Sequence, residues 1–248
     1  MSFCVTVSTG DSIVIATESR GNIFDKKNSN QTPMAYYDSE EKLFLCKKYN
    51  FAIGSTGSGL VENIFFSALA KDFISRLEGK NISVNVKDIL SCFINDYVKQ
   101  SYPQIMDQVS MQKLFVGGFF EGNSYLCYFN KDQNPNFGFI QGPGSIKSDK
   151  SPIGDKNYEA IDTNEAKKYA EETIKEYAKI GDRWKTIGGP IDFLEIKIGS
   201  AEWLTNYIKH NCIYLKDFIS KVKNNKIILT PIAPYTKKDI DELLETVK

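Results

Sequence analysis

The amino-acid sequence predicts one domain of mixed α and β structure, with layered sheets and helices packed on their outer sides. Three observations lead there. A chain of 248 residues, 42% hydrophobic and 25% charged, can bury a sizeable core and has the balance of an ordinary globular protein. Runs rich in β-branched and aromatic residues recur, separated by turn signals. Between them lie windows whose apolar residues follow the three-four spacing of an amphipathic helix.

The elements come in the order strands, two helices, strands, helix, strand. Residues 3–8 and 12–17 are β-branched runs joined by Thr9-Gly10-Asp11, a hairpin signal. The polar stretch 25–33 reads as a loop, and short strands are predicted near 34–37, 42–46 and 50–54. GSTGSG at 54–59 is then expected to open a long helix, with Val61, Ile64, Phe65, Ala68, Leu69 and Ile74 on its buried stripe. A second helix fits 86–99, with Val86, Ile89, Leu90, Phe93 and Tyr97 on one face. A meander follows: strands at 113–120, 124–130 and 137–141. A third helix is predicted from Asn164 to about Tyr177, and a strand over 191–198. Beyond it, apolar spacing at 213–222, a strand at 227–230 and a helix near 237–247 complete the chain. No repeat, low-complexity tract or linker divides it, so 1–248 reads as a single domain with 199–248 as a C-terminal extension.

Composition excludes several classes of function. Lysine plus arginine and aspartate plus glutamate are 31 each, and no segment concentrates basic residues among aromatics, which argues against a nucleic-acid partner. Net neutrality is compatible with self-association. Five scattered cysteines without a CxxC fit reduced thiols in a cytoplasmic protein. The N-terminus has no positive region of a signal peptide, and no apolar run is long enough for a membrane span. The one histidine, His210, sits in a polar stretch and reads as solvated. Histidine triads and multi-histidine metal sites are thereby nearly excluded, no cofactor is expected, and any enzyme here needs another base.

The hairpin geometry can be worked out from spacing. With a three-residue loop at 9–11, Ser8 faces Ser12 and Ser2 comes to lie beside Glu18, both on one face. Cys4, Thr6, Val14 and Ala16 share that face, while Phe3, Val5, Val7, Ile13 and Ile15 occupy the other. A two-residue loop shifts the pairing by one and still leaves Glu18 next to the chain start.

At this point the chain resembles a known family. The opening TVSTGDSIVIATESRG looks like that of proteasome β-type subunits, within the N-terminal nucleophile hydrolases, in a divergent, bacterial-like form. Aligned without a gap on Glu18-Ser19-Arg20, the family's catalytic N-terminal residue falls on Ser2. Asp38 to Phe44 resembles the strand that carries its essential lysine, here Lys42. FAIGSTGSG resembles the turn that supplies its oxyanion-hole amide, near Gly57. LFVGGFFEGNSYLCYFN resembles the central hairpin, GPGS at 142–145 the segment after it, and IGGPIDFLEI the late strand. The resemblance spans about 2–198. It implies an α+β fold, a four-layer αββα sandwich of two antiparallel sheets flanked by helices. It also implies hydrolysis of peptide or other amide bonds, a homo-oligomeric ring or dimer, and in some systems an ATPase partner.

The implied chemistry suits the residues. A free α-amino group titrates near ~7.7–8.0 and can take the proton of an N-terminal hydroxyl, so no histidine is needed. Ser2 is small enough for Met1 to be clipped by methionine aminopeptidase. Lys42 would lower the proton affinity of the hydroxyl, Glu18 would anchor Lys42, and amides around Gly57 at a helix start would hold the oxyanion. The family's supporting trio maps to Ser145, Asp182 and Thr186. The chain departs from the pattern in Ser for Thr, Glu for Asp, and two extra residues between Asp182 and Gly188. Plainer readings stand beside this one. Ser2 can be a polar strand start, Lys42 a solvated lysine and GSTGSG a capped turn. GSTGSG is not a phosphate loop, because no lysine follows its last glycine. Cys4 is a rival nucleophile that would require removal of three residues. A catalytically inactive ring or scaffold subunit is the second class of function.

Overall fold

The computed structural model describes residues 2–24, 33–131, 136–147, 154–155, 162–207 and 209–246. Met1 and nearly all of the loop expected at 25–33 lie outside them. Mixed α and β structure with antiparallel sheets is what the chain forms. The larger sheet runs, edge to edge, Gly154–Asp155, Gly144–Lys147, Cys4–Ser8, Ser12–Glu18, Ile191–Lys197 and Ser200–Thr205. The second runs Phe137–Gln141, Asn123–Phe129, Lys113–Phe120, Phe51–Thr56 and Leu43–Cys46. A small third sheet joins Thr230–Pro231, Ala35–Tyr37 and Gly21–Ile23.

Three apolar clusters follow from side-chain alternation. Ile13, Ile15, Leu194 and Ile196 of the larger sheet meet Ala52, Phe115 and Leu126 of the second. On the larger sheet's other side, Phe3, Val5, Val7, Val14 and Ala16 pack on Ala166, Ala170 and Ile174 of the helix Thr163–Lys179. Phe51, Ile53, Leu114 and Val116 turn from the second sheet toward Leu69, Phe73, Leu90 and Phe93 of the helical segments. Each such large side chain contributes about 1.5–3 kcal/mol when fully buried.

Four sequence expectations are corrected. The N-terminal hairpin pairs Cys4 with Thr17 and Val7 with Val14, the register of a two-residue loop, and Thr9 N donates to Ser12 O at 2.9 Å. That shift of one residue turns Val14 and Ala16 to the side of Phe3 and Val5, and Ile13 and Ile15 to the side of Cys4. The first long helix does not begin at the glycine turn. A hairpin of Leu60–Val61 and Ile64–Phe65 intervenes, with Glu62 at φ 53°, and the helix spans Phe66–Glu78. Val61, Ile64 and Phe65 therefore belong to strands. The second helix is irregular, passing from 3-10 (Val86–Asp88) through α to a π segment (Cys92–Val98). Of the strand expected at 227–230, only Thr230 pairs, with Tyr36, while Ile228 stands 77% exposed. Strands at Gly144–Lys147 and Ser200–Thr205, together with a short helix at Met106–Ser110, had no clear periodic signal.

Residues after 198 share cores with the first third of the chain. Cys212, Phe218 and Ile227 pack with Tyr37 and Phe65, and Ile219, Ile240 and Leu244 with Ala35. Among the described residues, no helix is long and apolar enough to cross a membrane.

Candidate active site

The end of the N-terminal hairpin carries a buried carboxylate with four donors. Glu18 Oε1 accepts from Phe3 N at 3.2 Å and from Lys42 Nζ at 2.5 Å; Oε2 accepts from Arg20 N at 2.8 Å and Gly188 N at 3.3 Å. Lys42 also donates to Arg20 O at 2.6 Å. Burial would penalise either charge alone, and these bonds compensate both. The strand register puts Glu18 on the side of Val14 and Ala16, so Ser2 and Glu18 do not share a sheet face. They are neighbours because the Glu18 side chain reaches the backbone of Phe3 at the hairpin's open end.

Arg20 ties the adjoining segments together. Its guanidinium binds Asp38 through two nitrogens, at 2.8 and 3.1 Å, donates to Trp184 O at 2.7 Å, and stacks 3.7 Å from the Tyr36 ring centroid. The Glu-Ser-Arg sequence thus spends its carboxylate on Lys42 and its guanidinium on Asp38.

Ser2, only 8% exposed, lines a cavity of about 780 Å³ together with Arg20, Glu40, Lys42, Gly57 and Gln112. Gly57 has φ +136°, a conformation that favours glycine, and a Cβ there would displace the Gln112 amide, whose Oε1 would lie 2.2 Å away. Gln112 in turn donates to Ser58 O at 3.0 Å. The helix start expected beside Gly57 is absent; the helix begins at Phe66, so no helix dipole acts at Gly57.

Ser2, Glu18, Lys42 and Gly57 are therefore brought together, and Ser145, Asp182 and Thr186 are not. Ser145 pairs with Val7, well along the strand from Ser2 and on the side of the helix Thr163–Lys179. Its Oγ is buried with no hydrogen-bond partner among the described residues. Asp182 points to solvent, 79% exposed, in an ion pair with Lys185. Thr186 Oγ1 donates to Arg183 O at 3.1 Å, closing its own turn. None of the three lines the Ser2 cavity.

Cys4 is fully buried. Burial, and next the charge of Glu18, push its thiol far above the ordinary value, while Lys42 opposes them more weakly. A thiol held protonated in this way is a poor nucleophile.

His210 was expected in solvent and is instead buried. Its Nδ1 accepts from Cys212 N at 3.0 Å, which leaves Nε2 to carry the proton, 3.4 Å from Glu40 Oε2. Tyr37 O–H donates to the same oxygen. Burial alone would raise the Glu40 carboxyl, but the hydrogen bonds from His210 and Tyr37 and the positive charge of Lys42 outweigh it and hold the group below its ordinary value. Three carboxylates within Asp38–Glu41 were the only sequence signal for Glu40; nothing local marked His210. Among the described residues, no group of three or more His, Cys, Asp or Glu is placed to hold a metal ion. In comparisons with known proteins, no family model and no curated protein matches the chain.

Proposed function

We propose that the chain is a hydrolase of peptide or other amide bonds whose nucleophile is the Ser2 hydroxyl, with Met1 removed. The observation that carries this reading is the convergence of a buried Ser2, Lys42 and Gly57 on one cavity, with Lys42 held by Glu18. In this reading the α-amine of Ser2 takes the hydroxyl proton, Oγ bonds to the substrate carbonyl carbon, and the positive charge of Lys42 favours the developing alkoxide. The Gly57 amide is the candidate donor to the carbonyl oxygen, through its own N–H rather than a helix dipole. The C–N bond then breaks, the leaving amine departs with the proton, and water hydrolyses the Ser2 ester. The three apolar clusters, one between sheets and one outside each, support the αββα sandwich that belongs to this reading.

The second reading is an inactive proteasome-like scaffold subunit. It is favoured by the dispersal of Ser145, Asp182 and Thr186. Both readings place the chain in the cytoplasm as a homo-oligomeric ring or dimer, the first with an ATPase partner where substrates must be unfolded. Intact mass and labelling by a β-lactone or peptide boronate separate them. Loss of Met1 with labelling abolished in Ser2→Ala supports hydrolysis; retained Met1 or an acetylated Ser2 refutes it.

A further inference from the structure

Glu40 has one oxygen too many for its surroundings. Oε2 is held by Tyr37 and His210, whereas Oε1 is buried and has no hydrogen-bond partner. The residue is only 2% exposed, and a buried carboxylate oxygen without a donor is costly. Glu40 lines a second cavity of about 10 Å³, roughly the space of one water molecule, whose wall also includes Ser2, Gly57 and Gly59. Gly59 leaves room for the same oxygen, since a Cβ there would lie 2.7 Å from Oε1. So small a space admits a group the size of an ammonium.

We propose that Glu40 Oε1 receives the α-ammonium of Ser2, which exists only once Met1 is gone, and so acts as the positioning residue for the chain's first amine. This rests on Ser2 being the first residue of the mature chain, as the proposed function requires. The dispersed Ser145, Asp182 and Thr186 leave that amine without the supporting group the family resemblance implied, and Glu40 lines the same small cavity as Ser2. His210 and Tyr37 hold the carboxylate from behind, so a histidine beyond residue 198 orients the amine through Glu40. The other charges facing the small cavity are Lys42, which opposes the ammonium, and Glu41, which is paired with Lys71 at 2.5 Å. Seated there, the amine keeps its proton at neutral pH, and amide hydrolysis rises toward alkaline pH as the amine titrates.

The test uses full-length protein released from an N-terminal fusion so that Ser2 is the first residue. Serine is labelled with ¹⁵N, and the α-amine of Ser2 is titrated by NMR. The proton affinity of the wild-type amine is expected about tenfold above that of an ordinary α-amine, one unit of pKa, and E40Q returns it to normal. Gly59→Ala, which displaces Oε1 without removing the charge, has the same effect and covers the case in which E40Q does not fold. An ordinary titration in the wild type, or a raised one that survives both variants, overturns the proposal. So does an ordinary amine together with thermal stabilisation of wild type, but not E40Q, by butylammonium, which would assign the oxygen to an external cation. The titration does not depend on hydrolysis, so absent boronate labelling with a raised amine pKa would refute the proposed activity and leave the Glu40 contact standing.

Discussion

Glu18 and Lys42 form an ion pair at 2.5 Å with side chains 0% and 6% exposed, and the pair closes the open end of the N-terminal hairpin onto the strand Leu43–Cys46. A pair this deep is worth little over an apolar substitute but is expensive to break on one side, because the remaining charge stays buried.

Lys42→Met therefore destabilises the protein by about 3–5 kcal/mol in urea unfolding. Glu18→Gln with Lys42→Met costs less than the two single changes added together. Additive losses would show that the two side chains act independently.

Gly57→Ala combines a positive φ with a contact on Gln112 Oε1. It lowers stability by about 1–3 kcal/mol, measured by chemical denaturation. Shortening Gln112 to Ala in the same chain relieves the collision but leaves the backbone cost. Full recovery in the double variant would mean that the φ at Gly57 carries no penalty.

Cys4 stays unmodified when native protein is treated with iodoacetamide near neutral pH and is alkylated once the chain is unfolded. Peptide mapping by mass spectrometry reads this directly. Rapid native alkylation of Cys4 would reopen it as a nucleophile.

The acid stability of the fold depends on Glu40. Its folded carboxyl titrates below the ordinary 4.5, so its contribution is present above about pH 4.5 and is lost as pH falls through the folded value. E40Q removes that dependence, and its stability declines less steeply than wild type on the acid side. Superimposable acid limbs for the two proteins would contradict the direction of the shift.

Much of the scaffold was legible because it is local. Strands at 113–120 and 137–141 and the helix near 164–177 carried their own periodicity, and the structure has Lys113–Phe120, Phe137–Gln141 and Thr163–Lys179. The helix start at 54–59 misled because Val61, Ile64 and Phe65 fit a three-four spacing while serving a tight hairpin. Apolar spacing over so few residues does not separate the two.

The sequence by itself determined that the chain's start lies against Glu18, since a hairpin only fifteen residues across leaves little freedom at its open end. It did not determine the face on which Glu18 sits, because side chains alternate with period two and one residue of register reverses every side. Only the tertiary structure decided that His210 stands behind Glu40, 170 positions apart. That pairing depends on Phe65, Phe218 and Tyr37 enclosing the imidazole, and no local periodicity encodes which distant segments will share a core.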